Sequence, residues 1–471
     1  MLCGNFFQTF LKNFPLIFKH TESMATKSKK AKSGFLKGAA IIAGGGFIAK
    51  VIGALYRIPL TNLIGGHGIG LYQLVYPVYC LLLTVSATGI PSSIAKLVAE
   101  RIGKNCSPAP VFKTAMKLFL LIGFVGSVVM VLTAPYLSKA QGAQSVTFGY
   151  YALAPSVFLV SAISVFRGYF QGKNDMLPTA LSEVMEQLVK VALGLVFAYI
   201  FRDSVEKAVV FLLLAVSISE AFALCLVWLL YGRDKRREEK QKTGGRVGMK
   251  AVLRLSIPVT FSSILIPLSS LLDSVLAVRL MGAYAENAIT LYGLFSGGAV
   301  TIINLPVSVC YGIAAASIPA VAKAKAEEKG IRKKIFFALG ITVLVALPAA
   351  AGLYFFASPA VKIVFRSLSA DEAQTLVYLV KIFAVSALTL SCAQTLSACL
   401  TAQGKPQYAA ISMAIAITLK TLTYSFLLRD ASVSIFGLAY ATNLCYLVAF
   451  LLNLLYNLKV SKKTHVKEKD K

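Results

Sequence analysis

The sequence predicts an all-α membrane protein of about twelve transmembrane helices arranged as two parallel six-helix lobes. Three observations lead there. The 471 residues are 57% hydrophobic and 14% charged, with a mean hydropathy of +0.72, outside the range of soluble globular domains. Twelve stretches have the ~20 mostly apolar residues that one bilayer crossing needs: 35–63, 71–95, 111–135, 146–166, 178–201, 208–231, 251–281, 288–320, 335–357, 375–400, 407–428 and 433–458. Basic residues alternate between connections, with 33 Lys or Arg in one set and 6 in the other (Lys139, Arg202, Lys207, Lys362, Arg366 and Arg429). One missed helix would scramble that alternation, and by the positive-inside rule both termini lie in the cytoplasm.

The segments follow in order. Residues 1–34 form a basic N-terminal segment, in which 1–23, interrupted by Lys12, Pro15 and Lys19, are too short to span and lack a small-residue cleavage site. Met24 opens a more ordinary basic leader. Residues 35–231 make the N-lobe, 232–250 a hydrophilic cytoplasmic linker, 251–458 the C-lobe and 459–471 a basic cytoplasmic tail. Faint repeats relate the lobes: Gln171-Gly172-Lys173 returns as Gln403-Gly404-Lys405, Leu71-Tyr72 as Leu291-Tyr292, and Ile90-Pro91 as Ile318-Pro319. Six crossings per half make the repeat parallel, about an axis along the membrane normal. Gly44-Gly45-Gly46 and Gly53 in the first span, and Pro258 and Pro267 in the seventh, mark either bends or close packing through small residues.

The net charge of +28 raises the question of nucleic acid, but its confinement to alternate connections fits anionic membrane lipid instead. The cysteines fall mostly within spans without a CxxC pair, and His20, His67 and His465 are far apart. Neither a disulfide framework nor a zinc site follows, and no cofactor is implied.

Seven basic residues lie inside the spans: Lys50, Arg57, Lys190, Arg254, Arg279, Lys381 and Lys420. Each at mid-helix costs about 2.5–3.5 kcal/mol against lipid, so those at depth must meet water or counter-charge. Five occupy matching places: Lys50 and Arg57 on the first span with Arg279 on the seventh, and Lys190 on the fifth with Lys420 on the eleventh. Arg254 and Lys381 lie near helix ends, where snorkelling accounts for them. Lys190 shares a helical face with Glu183 and Glu186, which fits a structural ion pair as well as a ligand contact, whereas Lys420 has only Met413 and Ala416 at those offsets and, without a local partner, is expected to line a cavity and bind substrate. Asp273 on the seventh span and Glu220 on the sixth are candidates for counter-charge or ion coupling, as are Glu183 and Glu186.

The runs GALYRIPLTNLIGGHGIGLYQLVYPVY (53–79), TGIPSSIAKLVAE (88–100) and FRGYFQGKNDMLPTALSEVMEQLVKV (166–191) resemble the stage V sporulation protein B-like polysaccharide transporters. These belong to the multidrug/oligosaccharidyl-lipid/polysaccharide (MOP) exporter superfamily, alongside the lipid II flippases. The resemblance implies a V-shaped pair of lobes with a central cavity exposed alternately to each side, and a monomer is the expected state. In the lipid-flipping branches that cavity is cationic and takes the diphosphate and sugar head of a polyprenyl-linked glycan. Lys50, Arg57 and Arg279 match the basic positions of the first helix in each lobe, and Lys190 lies in the EQLVKV segment where a basic residue is common. Lipid II flippases carry two further C-terminal helices beyond twelve, which weakens transfer of that exact substrate.

The leading expectation is a flippase for a lipid-linked cell-wall precursor or oligosaccharide, without covalent chemistry and with sodium or protons as a possible coupling ion. A cation-coupled multidrug exporter is the alternative within transport, disfavoured by seven buried cations against four acids. A membrane glycosyltransferase or polymerase would need carboxylates near a sizeable outer loop. The longest such loop, 358–374, offers only the pair Asp371-Glu372 at a helix start.

Overall fold

A computed structural model describes residues 31–87, 89–237, 263–327 and 330–469, together with Met249, Val252, Leu253, Ser256 and Thr260. Residues 1–23, Arg254 and Pro258, and the side chain of Lys50, lie outside the described residues. Every regular element described is helical: α1 (Ala31–Ala87), α2 (Ile90–Gly103), α3 (Ala109–Ala140), α4 (Thr147–Gly172), α5 (Leu177–Ile200), α6 (Val205–Arg237) and α7 (Leu265–Met281). There follow α8 (Ala288–Gly293), which runs through a π-helical segment (Leu294–Ala299) into α9 (Val300–Ala326), then α10 (Ile331–Phe355), α11 (Ala357–Val364), α12 (Ala370–Ala402), α13 (Pro406–Leu427) and α14 (Phe436–Lys469).

Nine of the described helical stretches are long and apolar enough to cross a membrane on their own. The twelve-span pattern is recovered from three details. Gly44–Gly103 spans 60 residues, about 90 Å of helix at 1.5 Å per residue and too long for one ~30 Å crossing. It breaks at Gly65, whose φ of 69° and ψ of −178° suit glycine, and again at Gly89, with φ 83°. Helix α5, 24 residues long and so able to cross, is kept from being uniformly apolar by Glu183, Glu186 and Lys190. The seventh span is described continuously only over its C-terminal 17 residues, as α7.

Without water to drive apolar faces together, helices in lipid associate through small residues and interhelical hydrogen bonds. In the first half a β-carbon on Gly123 would lie 2.5 Å from Ser161 Oγ, and one on Gly168 2.9 Å from Pro91, so α3, α4 and α2 meet backbone to backbone. Gly45 packs against Ala180 in the same way. Of the triple glycine in the first span, Gly45 thus serves close packing on α5, and all three residues keep helical backbone. In the second half Asn443, Asn453 and Asn457 on α14 donate side-chain amides to the carbonyls of Ile382, Ala393 and Leu396 on α12, at 2.8, 3.1 and 3.0 Å. Helices 10 and 12 are further joined by Thr342 and Thr395, 2.8 Å apart.

The halves meet through the 66–73 segment of α1 and through α8. A β-carbon on Gly70 would fall 2.2 Å from the carbonyl oxygen of Ile289, and one on Gly293 2.5 Å from the Gly66 carbonyl. Polar contacts surround this seam. Asn62 donates to the Val364 carbonyl at 2.9 Å, Ser367 donates to the Thr61 carbonyl at 3.2 Å, and Thr290 lies 3.4 Å from His67. The Gln141 amide donates to the Leu74 carbonyl at 2.9 Å and to Ser274 Oγ at 3.2 Å, while Tyr150 fixes its other end at 2.7 Å.

Candidate functional site: a cationic cavity between the halves

Adjoining this seam, on the side toward the N-terminal end of α1, a cavity of about 440 Å³ opens between the halves. Its volume is in the usual range of small-molecule sites. Packing of α1 on α5 builds one wall: Gly194 leaves space for the Tyr56 hydroxyl, which an added β-carbon would meet at 2.0 Å, and Gly53 faces Gln187 at 3.2 Å. That contact brings Arg57 and Lys190, 133 positions apart in sequence, onto one surface. The opposite wall is α9, where Thr301, Asn304, Ser308 and Tyr311 recur at i, i+3, i+7 and i+10 and all line the cavity, a polar stripe on an apolar helix. Tyr72 and Tyr76 add stacked rings with centroids 5.3 Å apart.

The two cations differ in their surroundings. The Arg57 guanidinium donates from Nη1 to Thr301 Oγ1 at 2.6 Å, crossing between the halves. Lys190 has neither a hydrogen bond nor an ion pair among the described residues. Glu186, one turn before it, is engaged elsewhere, 3.3 Å from Arg167, which also donates to Ser182 at 2.9 Å. No carboxylate lines the cavity among the described residues. Two positive charges thus face a semi-enclosed polar space, an arrangement that attracts phosphate or another anion and repels organic cations.

The other sequence candidates are placed elsewhere. Lys420, 6% exposed, turns into its own half, where its ammonium bonds to Asp273 and donates to Ser269 at 3.3 Å. It has the distant partner that its own helix could not supply, and it does not line the cavity. Asp273 therefore pairs with α13, and no cation of the first span reaches it among the described residues. Arg279 is exposed at the far end of α7, in two other grooves. Glu220 is buried: Tyr79 donates to its Oε1 at 3.3 Å, and its Oε2 has no hydrogen-bond partner. Glu183 is engaged in an interaction of its own and does not line the cavity. Glu372, of the Asp371-Glu372 pair, forms a capping box with Ser369 at the start of α12, a structural use. Sequence reasoning missed Thr301 and the rest of the α9 stripe, although its helical spacing was readable. It quoted Tyr72 and Tyr76 within a motif without giving them a role.

Stacked spans, a first span that breaks at Gly65 into the second, and a polar cavity at the meeting of two halves define a multi-pass membrane transporter fold. The helices superimpose on the inward-facing conformation of a multidrug resistance MATE family transporter of the MOP superfamily with a TM-score of 0.76, over 88% of this chain and 95% of that one at 17% identity. Against an outward-facing conformation of such a transporter the TM-score is 0.66, over 93% and 100% at 18% identity. The chain belongs to the polysaccharide biosynthesis protein family, whose pattern matches residues 35–325. It is 28% identical to stage V sporulation protein B of Bacillus subtilis (strain 168) over 315 residues, 64% of this chain and 60% of that protein's length. It is 21% identical to the lipid II flippase MurJ of the same organism over 448 residues, 88% of this chain and 82% of that protein.

Proposed function

We propose that the chain is a flippase that carries a polyprenyl-diphosphate-linked cell-wall precursor or oligosaccharide outward across the cytoplasmic membrane by alternating access. The observation that carries this reading is the cavity holding Arg57 and Lys190 with no carboxylate on its described walls. A lipid diphosphate presents adjacent negative charges that call for more than one cation. The glycan would lie against Tyr72, Tyr76 and the α9 stripe, while the prenyl chain stays in lipid between the lobes. Kinship with a lipid II flippase supports this cargo class over a drug cation, as does the charge of the cavity.

In this reading 35–231 and 251–458 are the two lobes, with both termini in the cytoplasm, as the distribution of basic residues indicates. The seam around Gly70 and Gly293 is then the closed outer gate, and the cavity faces the cytoplasm. The higher TM-score against the inward-facing transporter agrees with this. Glu220, buried with one free carboxylate oxygen beside Tyr79, is the candidate group for a coupling proton. The test is the purified chain in liposomes carrying a fluorescent lipid-linked glycan, read by its exposure to an impermeant quencher. Protein-dependent exposure of intact lipid supports the flippase. Exposure equal to empty liposomes, or a newly joined glycan product, overturns it.

A further inference from the structure

We infer that a second anion seat lies at the outer end of α7, where it receives the diphosphate head of the polyprenyl lipid once that lipid has reached the outer leaflet. This rests on the flippase reading and assigns its product a landing site.

Leu276, Arg279, Leu280 and Ala283 recur at i, i+3, i+4 and i+7, one stripe along α7 and the turn after it. With Tyr284 and Arg429 they wall an apolar groove of about 460 Å³. On the other flank of Arg279 a groove of about 630 Å³ contains Lys139, Gln141 and Glu286. Arg279 lines both. Arg279, Lys139 and Arg429 are all exposed, and among the described residues none has a side-chain hydrogen bond or ion pair. Only six basic residues occupy the outer connections, and two of these six flank Arg279.

Charge and position together select the occupant. Arg279, Lys139 and Arg429 outnumber the two acids beside them, Glu286 in the second groove and Asp430 next to Arg429, so the region keeps a net positive charge that suits an anionic head group. The apolar groove beside Arg279 suits the first isoprene units of the same molecule. The second groove reaches Gln141, whose amide crosses to Ser274 on α7, so it lies where α3 and α7 part as the outer gate opens. A lipid leaving the cavity sideways meets Arg279 there. The mirrored position of Arg279 and Arg57 in the two halves then reflects two stations for one head group, at the two ends of its path.

The full chain in phosphatidylcholine nanodiscs is to be labelled with a benzophenone-tagged polyprenyl diphosphate and the adducts mapped by peptide mass spectrometry. We expect adducts on 276–284 and 424–430 in addition to those in the cavity. Replacing both Arg279→Gln and Arg429→Gln is expected to cut the groove adducts about tenfold and spare those in the cavity, whereas Arg279→Lys retains most of them. Arg57→Gln should do the converse. Because these side chains are exposed, the double variant should match the parent in thermal unfolding. Groove adducts undiminished in the double variant, or displaced equally well by phosphatidylglycerol, overturn the seat. Loss of cavity adducts alone counts against the flippase reading and leaves the outer site measurable on its own.

Discussion

Arg57 and Lys190 share a cavity for different local reasons, and substitution should separate them. Arg57 is tied to Thr301 at 2.6 Å across the halves, so in the proposed flippase Arg57→Ala would remove both a contact to the phosphates and a bond between the halves. Lys190 has no such tie among the described residues, and in the same proposal Lys190→Ala would remove a contact to the phosphates alone. Each is expected to lower the flipping rate in liposomes by about tenfold or more, a loss of at least ~1.4 kcal/mol. Thermal unfolding should change for Arg57→Ala only. Lys420 behaves as a structural charge: Lys420→Met strands Asp273 in a site where its Oδ1 already lacks a partner. Removing one member of such a buried pair costs about 3–5 kcal/mol, read as a fall in unfolding temperature, and Asp273→Leu added to Lys420→Met should recover most of it. Insertion cost made these cations visible in the sequence. Which of them meet each other depends on contacts such as Gly53 with Gln187, and no local pattern encodes these. Asp273 and Lys420 lie 147 positions apart, so helical offsets alone left Lys420 without a partner.

At the scale of elements, glycine placement decides which contacts are close. Gly70 sits where a β-carbon would come within 2.2 Å of the Ile289 carbonyl on α8, and the backbone there has no slack. Gly70→Ala should push α1 and α8 apart and shift the protein toward the state open at this end, measured as a longer distance between spin labels placed on either side of the seam. Gly44→Ala, with nothing within 4 Å, is the control and should leave that distance unchanged. The helices themselves were legible because ~20 apolar residues per crossing is a strong constraint, and basic connections fixed their number. The break at Gly65 was hidden, because Gly65, Gly66, Gly68 and Gly70 look alike in sequence and only the first takes a left-handed φ. The Gly44-Gly45-Gly46 run fitted a bend and close packing equally well in sequence, and the contact of Gly45 with Ala180 selects packing at that residue.

For the whole molecule, the seam and the cavity together fix which side is open. The contacts between the halves gather at the Gly65 end of α1, where Asn62, His67 and Gln141 all bridge to the second half. Ala49 and Gly53, nearer the chain's N-terminus, border the cavity instead. A transporter that alternates must exchange this closure for one at the opposite end, and a ligand moves the balance only through a difference in affinity between the two states. Single cysteines introduced in a cysteine-free background measure that balance. Ser308→Cys, on the cavity wall, should react with an impermeant maleimide applied from the side that bears the termini. Ser274→Cys, fully buried beneath Gln141, should be protected from both sides. Adding Gln141→Ala removes the amide that joins α3 and α7, so Ser274→Cys should then become reactive from the opposite side while labelling of Ser308→Cys falls. Equal labelling of Ser308→Cys from both sides in the parent would mean that the seam is no barrier, and the orientation argued from it would fail.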